Sequence, residues 1–311
     1  MNQKRAIAIT IRSFDEHSPA FQKLIANFTI VYHNKTGKRL NEISLSDILK
    51  NVDGVIAGTE PFTQNVLRSS RHLRVISRVG IGIDSIDLTE AAQQKILVCN
   101  TPDAPSHSVA EHTIALLFSI LKKIPQYNSR IRDGNYSTEV GSLMAGKTIG
   151  IVGLGRIGFK VAVIASALGC IIRYYDPFLT HTVPAEWMRA DSLFELLASA
   201  DVVTLHASPQ PGRKYILDEE NICYCKKGAI ILNTARGTLI EEQALIQSLE
   251  SGFISSVGLD VFPHEPYTGK LLDYSQVVMT PHVASNTFEA RQEMEMEAAN
   301  NLINGLKDEK L

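Results

Sequence analysis

Three side chains in the second half of the chain could bind an anion or transfer a proton. Arg236, Glu265 and His282 each come shortly after an apolar run that is typical of a buried β-strand. An arginine can bind a carboxylate through two parallel hydrogen bonds, and a histidine can give or take a proton near neutral pH. A carboxylate beside an imidazole favours the protonated ring. The set therefore suits a reaction in which an anionic substrate gains or loses a proton.

The fold must bring these residues together, because they are far apart in the sequence. In an open sheet of parallel strands, ligands bind outside the carboxyl ends of the strands, where all three residues would converge. Taken singly, each residue also has an ordinary structural interpretation: a surface arginine, a turn acid before Pro266 and a histidine bonded to backbone. Four other histidines, which no motif pairs with an acid, are expected to be structural or peripheral: His107, His112, His206 and His264.

The segment Gly153–Gly158 reads Gly-Leu-Gly-Arg-Ile-Gly and lies between a strand-like run and a helical pattern. Gly153 would allow the tight turn, Gly155 would let a pyrophosphate approach the backbone, and Gly158 would let the helix pack closely on the strand. The helix N-terminus would then face the anion. A bare glycine motif is weak, but its position between strand and helix predicts a dinucleotide-binding unit.

Asp176 ends the second apolar run of that unit, Ile171–Tyr175. At this position a carboxylate can accept hydrogen bonds from a ribose diol, and it repels a 2′-phosphate. The sequence therefore predicts NAD rather than NADP as the cofactor. Hydride transfer between a nicotinamide and a 2-hydroxy or 2-oxo acid would use a cation, a proton carrier and a carboxylate, which Arg236, His282 and Glu265 supply.

Composition excludes several classes of protein. The 311 residues are 44% hydrophobic with a formal net charge of −2, which indicates a globular protein of two domains without an electrostatic footprint for nucleic acid or anionic membrane. No apolar run approaches the ~20 residues that span a bilayer, and no signal-peptide pattern is visible, so we expect a cytoplasmic protein. Cys223 and Cys225 have no second pair of ligands, so no metal site is expected.

Strand-like and helical runs alternate along most of the chain, which predicts an α/β fold of two doubly wound parallel-sheet domains. We expect residues 1–100 plus 287–311 to form a substrate domain, interrupted by a dinucleotide-binding domain of residues 101–286. Val109–Ile124 is predicted to be a long apolar helix that Pro125 ends, and Arg130–Leu143 to be a loop. The C-terminal segment Asn286–Leu306 is helical by pattern and is expected to return to the first domain.

The chain resembles the D-isomer-specific 2-hydroxyacid dehydrogenase family over nearly its whole length. That family includes D-3-phosphoglycerate, D-lactate and glyoxylate/hydroxypyruvate enzymes. The resemblance implies a flavodoxin-like substrate domain interrupted by a Rossmann domain. The matching motifs are Gly-Leu-Gly-Arg-Ile-Gly, Asn-Thr-Ala-Arg-Gly at Arg236, Asp-Val-Phe-Pro-His-Glu-Pro at Glu265, Thr-Pro-His at His282, Arg78–Asp84 and Asn100–Pro102.

The resemblance also implies a role for each matching residue. Arg236 would bind the substrate's carboxylate and carbonyl, and His282 would be the acid/base paired with Glu265. Val79 and Gly80 would offer backbone N–H groups to the carboxylate. Arg78 lies beside that loop in the sequence and, by its position and not by the resemblance, could supply a cation to a distal phosphate. The cofactor contacts would come from Gly153, Gly155, Arg156, Ile157, Gly158, Asp176, Ser208, Thr234 and Asp260, with Arg156 and Ile157 at the pyrophosphate and Asp260 at the nicotinamide carboxamide.

Several functions remain open at this stage. The first candidate substrate is 3-phosphoglycerate, although this chain has Ala57–Pro61 where phosphoglycerate enzymes often carry an arginine. The order His206–Pro209 also departs from the family's usual His-x-Pro. Alternatives are a glyoxylate/hydroxypyruvate or D-lactate type reductase and, from another class, an NAD-sensing corepressor-like scaffold. The resemblance suggests a homodimer formed through the helix Val109–Ile124 and its surroundings. The apolar character of that helix would also fit burial inside its own domain.

Overall fold

The computed structural model describes residues 4–209 and 215–307. The chain forms two compact units. The first contains the described residues up to Pro105 and those from Asn286 onward, and the second is Ser106–Ser285. The boundaries predicted from the sequence were after residue 100 and before residue 287.

The described part of the first unit is built on one sheet of five parallel strands. Its elements up to Pro105 are β1 (Ala6–Ile9), α1 (Pro19–Asn27), β2 (Thr29–His33), α2 (Glu42–Leu49), β3 (Gly54–Ala57), α3 (Gln64–Ser69), β4 (Val75–Arg78), α4 (Leu88–Gln93) and β5 (Leu97–Cys99). The strand order is β2-β1-β3-β4-β5, the flavodoxin-like order. The interior strands β1 and β3 are buried on both faces, which explains why they read as continuous apolar runs.

The described part of the second unit is built on seven parallel strands. It begins with α5 (Ser106–Leu121) and α6 (Ile124–Arg132) and continues with β6 (Thr148–Val152), α7 (Arg156–Ala167), β7 (Ile171–Tyr175), β8 (Met188–Arg189), α8 (Leu193–Ser199), β9 (Val202–Leu205), β10 (Ala229–Asn233), α9 (Glu242–Glu250), β11 (Ile254–Leu259) and β12 (Val277–Met279). Short 3₁₀ turns lie at Ile222–Tyr224, Gly237–Leu239 and Lys270–Asp273. The strand order β12-β11-β10-β9-β6-β7-β8 reverses between β6 and β9, and in such sheets ligands bind at that switch point. Both sheets agree with the predicted fold class.

The last helix, α10 (Phe288–Lys307), packs into the core of the first unit, as the C-terminal pattern predicted. Leu302 and Leu306 lie against the start of β3. A Cβ added at Gly54 would come within 2.7 Å of Leu302, so the glycine permits this close contact.

The long helix expected at Val109–Ile124 is two helices, because α5 ends at Leu121 and α6 starts at Ile124. Pro125 stands in the first turn of α6, where its missing N–H breaks no helical hydrogen bond. It starts a helix instead of ending one, and α6 extends into the segment predicted as a loop, as far as Arg132.

The apolar side chains of α5 are used inside the second unit. They form part of its core together with residues of β6, β7, β10 and α7. The buried set on α5 includes Ala110, Ile114, Leu116, Leu117, Ile120 and Leu121. The apolar face of α5 is therefore core, which was the alternative explanation of its composition, and a dimer contact through this region stays a prediction.

Trp187 is the chain's single tryptophan and is buried just before the edge strand β8. Its ring lies 5.1 Å from that of Phe159 on α7, between ring centroids. The two rings close the core of the second unit between α7 and this edge of the sheet. Within residues 4–209 and 215–307, none of the helices has both the length and the apolarity required to cross a membrane.

Candidate active site

The turn from β6 to α7 carries the glycine motif, and two of its glycines are required by the protein itself. Gly153 has φ +88, which favours glycine, and an added Cβ would lie 2.8 Å from the backbone nitrogen of Ala207. At Gly158 an added Cβ would lie 2.1 Å from the carbonyl oxygen of Gly153. Gly153 therefore makes the turn, and Gly158 lets α7 pack directly on it.

Gly155 differs from these two glycines. Its φ of −71 suits any residue, and among the described residues no heavy atom comes within 4 Å of the Cβ that an alanine would add. It caps α7 without a side-chain hydrogen bond, and Arg156 and Ile157 begin the helix. The fold does not require glycine here, whereas a pyrophosphate approaching the positive end of α7 would. The turn thus fits a dinucleotide.

Asp176 follows β7 and is held beside this turn. One carboxylate oxygen accepts a hydrogen bond from the N–H of Leu154 at 2.8 Å, and the other accepts one from Phe178 at 2.9 Å. Each oxygen of a carboxylate can accept a second hydrogen bond. The carboxylate is therefore fixed in orientation and can still receive the two hydroxyls of a ribose diol, which fits NAD.

Two further predicted cofactor contacts lie at strand ends. The hydroxyl oxygens of Thr234 and Thr113 are 2.9 Å apart, and Thr113 donates to the carbonyl of Val109 at 2.8 Å. Thr234 must therefore be the donor in this pair, which leaves its oxygen able only to accept from a cofactor group. Ser208 is exposed beyond the end of β9.

His206 also lies at the end of β9, with its Nε2 2.8 Å from the hydroxyl of Thr204. Burial disfavours the imidazolium and lowers the pKa of His206 to about 3. The ring is therefore neutral near pH 7 and unsuited to donate a proton to a substrate, in agreement with its expected structural role.

Glu265 and His282 are brought together by the loops that follow β11 and β12. The Oε2 atom of Glu265 lies 2.9 Å from Nδ1 of His282, and Oε1 accepts a hydrogen bond from the N–H of Phe262 at 3.1 Å. The side chains of His282 and Glu265 are 46% and 38% exposed, so small molecules can reach them. Because Nδ1 faces the carboxylate, Nε2 is the nitrogen available to a substrate.

Arg236 lies on the turn after β10, which Asn233 shapes. The side chain of Asn233 donates to the carbonyl of Arg236 at 2.8 Å and accepts from the N–H of Ala235 at 3.0 Å. A Cβ added at the next residue, Gly237, would lie 2.0 Å from the carbonyl carbon of Phe262. The loop of Arg236 therefore touches the loop of Glu265, and glycine makes that approach possible.

Asn233 and Gly237 were not among the residues that the sequence predicted for the site. The signal was present in the motif Asn-Thr-Ala-Arg-Gly, in which both flank the arginine. A glycine directly after a candidate catalytic residue can mark a close approach of two backbones, but the sequence does not say which backbone approaches.

Asp260 is buried at the end of β11 and its oxygens are directed to the segment that carries His282. They accept hydrogen bonds from the Thr280 hydroxyl at 2.5 Å and from the N–H groups of Val283 and Ala284 at 2.9 Å each. His282, between these partners, has φ +55, a conformation that is uncommon for residues other than glycine. Asp260 was expected to hold the nicotinamide carboxamide; its observed partners belong to the loop of His282.

His112 on α5 reaches the same cluster. Its Nε2 lies 2.9 Å from the Thr280 hydroxyl and 3.6 Å from a carboxylate oxygen of Asp260. His112 was expected to be structural or peripheral. Its contact with Asp260 was not predicted, because the two residues are 148 positions apart in the sequence. Sequence spacing alone gives no signal for it.

In the first unit, the expected anion-binding amides are already used. The N–H of Val79 donates to the carbonyl of Ala57 at 2.9 Å, and the N–H of Gly80 donates to the Thr101 hydroxyl at 2.6 Å. The prediction that these two groups face a substrate carboxylate is not supported, because both bonds continue the packing at the end of the sheet. In the described structure, the N–H groups of the next residues, Ile81 and Gly82, donate to no protein atom.

Arg78 is turned back on its own loop. Its guanidinium donates to the carbonyl of Val79 and lies where a Cβ on Gly80 would clash with it. Glu60 is buried nearby and accepts a hydrogen bond from the N–H of Gly58 at 2.7 Å. Burial raises the pKa of Glu60, while the positive charge of Arg78 acts to lower it. The buried carboxyl group of Glu60 and the guanidinium of Arg78 thus interact electrostatically.

Comparisons with known proteins identify the family of this chain. Residues 114–284 match the family model of the D-isomer specific 2-hydroxyacid dehydrogenase NAD binding domain. The chain is 37% identical to the D-3-phosphoglycerate dehydrogenase of Bacillus subtilis over 81% of its length, which is 49% of that protein. It thus spans about half the length of that relative.

Two further relatives are similar in length to this chain. The hydroxypyruvate reductase of Thermotoga maritima is 36% identical over 84% of this chain and 87% of that protein. The crystal structure of a glyoxylate reductase from Paecilomyes thermophila superposes with a TM-score of 0.87 and 29% identity, covering 100% of this chain and 98% of that one. The second unit is an NAD-binding domain, and the chain belongs to the D-isomer-specific 2-hydroxyacid dehydrogenase family.

Proposed function

We propose that this protein is an NAD-dependent oxidoreductase acting on a small D-2-hydroxy or 2-oxo acid, with 3-phosphoglycerate and its oxo acid as the first candidate couple. The observation that carries the proposal is the Glu265–His282 pair at 2.9 Å, on a loop that the Arg236 turn contacts. The names of the relatives, which include D-3-phosphoglycerate dehydrogenase and hydroxypyruvate reductase, support the same reaction class.

The bound nicotinamide supplies or accepts the hydride. Arg236 binds the substrate's carboxylate and carbonyl oxygen, because a guanidinium offers two parallel donors to such a group. His282 gives its Nε2 proton to the substrate oxygen during reduction and takes it back during oxidation. Glu265 orients the ring through its contact with Nδ1.

Turnover with a panel of oxo acids tests the reaction and the substrate together. NADH consumption is measured with 3-phosphohydroxypyruvate, hydroxypyruvate, glyoxylate and pyruvate, with His282→Ala as the matched inactive control. Under the first candidate, 3-phosphohydroxypyruvate has the highest kcat/KM. Binding of NADH without turnover of any acid would favour the scaffold alternative and refute the enzyme.

A second candidate is the reduction of unphosphorylated acids such as hydroxypyruvate or glyoxylate. It is favoured by Arg78, whose guanidinium is engaged by the Val79 carbonyl and lies close enough to the buried Glu60 to affect its pKa. In this case Arg78→Ala leaves the rates on glyoxylate and hydroxypyruvate within about twofold. A phosphoglycerate enzyme would instead lose its preference for the phosphorylated acid in that variant.

We propose that the N–H groups of Ile81 and Gly82 in the first unit bind a carboxylate. Their N–H groups have no protein acceptor in the described structure, and both residues are partly exposed, unlike Val79 and Gly80. Adjacent N–H groups of this kind bind anions well. Gly82→Pro removes one donor, and we expect it to raise KM for the acid while the Kd for NADH is unchanged.

We also propose a homodimer, formed through the segment after α6 instead of through α5. Its residues Tyr136, Val140 and Leu143 are 79%, 93% and 71% exposed, so three large apolar side chains face outward. The segment is nevertheless fixed: Glu139 pairs with Lys123 and Arg130, which lower its pKa to about 2. An anchored loop with exposed apolar side chains is typical of an interface.

The dimer proposal is tested by light scattering after gel filtration. Val140→Glu combined with Leu143→Glu is expected to give a monomer, since burying two carboxylates in an interface is costly. Ile43→Glu on α2, which is 76% exposed in the first unit, is the matched control and should leave the mass unchanged. A wild-type protein that runs as a monomer would refute the dimer.

A cytoplasmic location, the remaining part of the proposal, is checked by cell fractionation.

A further inference from the structure

The cluster of His112, Thr280 and Asp260 lies beneath the loop of His282, and its hydrogen bonds have a definite direction. An ionised carboxylate only accepts, so the Thr280 hydroxyl donates its proton to Asp260 across 2.5 Å. The oxygen of Thr280 must then accept from His112, which donates through Nε2–H at 2.9 Å. The chain of donors therefore runs from His112 through Thr280 to Asp260.

Asp260 holds both sides of His282. Its carboxylate accepts from Thr280, two residues before His282, and from the N–H groups of Val283 and Ala284, directly after it. His282 itself donates its backbone N–H to the carbonyl of Thr280 at 3.0 Å. A residue at φ +55 persists when its surroundings determine the conformation, and these bonds provide such surroundings.

We propose that His112 and Thr280 are positioning residues for the proposed reaction, acting through Asp260 to hold His282 in its left-handed conformation. In that conformation Nδ1 of His282 meets Glu265. His112 is fixed on α5, whose neighbouring residue Thr113 is buried and bonded to Thr234. The helix therefore offers a rigid support on which the direction of the imidazole depends.

The proposal rests on the proposed function, since it assigns a task only if His282 acts on a substrate. Its own content is that the effect of Thr280 passes through His282. Thr280→Val removes the hydroxyl and keeps the shape, and Thr280→Ser keeps the hydroxyl. His112→Leu removes the donor, and His112→Gln retains an N–H at a similar distance.

The experiment is a double-mutant cycle on kcat, with the Kd for NADH measured by titration. Thr280→Val and His112→Leu are each expected to lower kcat about 10-fold or more, with KM for the acid and Kd for NADH within about twofold. Thr280→Ser and His112→Gln should retain kcat within about threefold of wild type. In the His282→Ala background, Thr280→Val should have no further effect on kcat, because the group it positions is gone.

The outcomes separate the two proposals. If His282→Ala keeps wild-type turnover, the proposed function has the wrong acid/base, and the positioning proposal fails with it. If His282→Ala loses most of its turnover but Thr280→Val lowers kcat by the same factor in the wild-type and His282→Ala backgrounds, only the positioning proposal is overturned. Equal kcat in Thr280→Val and wild type would also overturn it. If Thr280→Val or His112→Leu acted only by disturbing the fold, the variant would show a lower Tm and weaker NADH binding in addition to its lower kcat.

Discussion

His282 is the residue on which the proposed chemistry depends most directly. We expect His282→Gln to lower kcat by about 10² to 10⁴, the usual contribution of a general acid or base, while the Kd for NADH stays within about twofold. Glutamine keeps a polar side chain but cannot shuttle a proton. Steady-state kinetics with the best oxo acid give the first value, and fluorescence titration gives the second.

His264→Gln is the matched control, since His264 is exposed on the Glu265 loop and no motif pairs it with an acid. It should leave kcat within about twofold of wild type. Comparable rate losses in the two variants would contradict the assignment of His282.

Asp176 tests the choice between the two nicotinamide cofactors. Wild type should use NADH with a much higher kcat/KM than NADPH, because a 2′-phosphate would face the carboxylate and like charges at close contact commonly cost several kcal/mol. Asp176→Asn removes the charge. It should lower the ratio of kcat/KM with NADH to kcat/KM with NADPH by about 10-fold or more, through a lower kcat/KM with NADH and a higher one with NADPH. Equal efficiency of wild type with both cofactors would refute the NAD preference.

Side-chain identity could be predicted at the site, but the partners of backbone groups could not. The motifs around Arg236, Glu265, His282 and Asp176 indicated residues that the fold places at strand ends, and the Glu265–His282 pairing has the expected geometry. The amides of Val79 and Gly80 were assigned to a ligand, but they donate to Ala57 and Thr101. Which acceptor an N–H meets depends on the neighbouring strand, which the local sequence does not reveal.

At the scale of elements, the β6–α7 turn separates glycines needed for folding from a glycine needed for binding. Gly158→Ala is expected to destabilise the protein by more than about 2 kcal/mol, since its Cβ would overlap the Gly153 carbonyl and α7 would have to move. Gly155→Ala should fold with a stability close to that of wild type and bind NADH at least 10-fold more weakly. Urea unfolding without cofactor and NADH titration distinguish the two effects.

The reverse pattern, with Gly155→Ala unfolded and Gly158→Ala stable, would show that the turn is not packed as described. Gly134→Ala is a useful reference, because Gly134 has φ +73 but no neighbour within 4 Å among the described residues. Its loss of stability measures backbone strain alone, without any steric overlap.

Helix boundaries were harder to predict than the alternation of elements. The strand–helix rhythm gave both sheets, since buried parallel strands read as continuous apolar runs. Pro125 was interpreted as the end of a helix, yet it stands in the first turn of α6, because proline fits the first turn of a helix as well as the end of another. The apolar residues of α5 were assigned to a dimer contact, because composition indicates burial without showing what covers the residue.

For the whole molecule, pH-dependent stability should reflect His206. Its pKa is about 3 in the folded protein and near 6.5 when unfolded, so between these values the unfolded chain binds one more proton. Above pH 6.5 the ring is neutral in both states, and this group does not change the free energy of unfolding. As the pH falls below 6.5, protonation of the unfolded chain lowers the free energy of unfolding by roughly 1.4 kcal/mol per pH unit. We therefore expect His206→Gln to lose less stability than wild type between pH 7 and 5.

Urea unfolding of the cofactor-free proteins at several pH values measures this difference. Because other groups titrate in the same range, the test is the difference in slope between wild type and variant. His17→Gln is the control, since its side chain is 89% exposed, and it should follow the wild-type slope. Parallel curves for wild type and His206→Gln would contradict the assignment.

The single tryptophan has an optical consequence for the two-unit chain. Trp187 is buried in the second unit and packed on Phe159, so its emission reports the folding of that unit alone. Far-ultraviolet circular dichroism, in contrast, records the helices of both units. Coincident melting curves by the two signals would mean that the two units unfold together. An earlier loss of tryptophan emission would mean that the second unit unfolds first and leaves the first unit folded. One native chromophore thus allows the cooperativity of the molecule to be measured without a label.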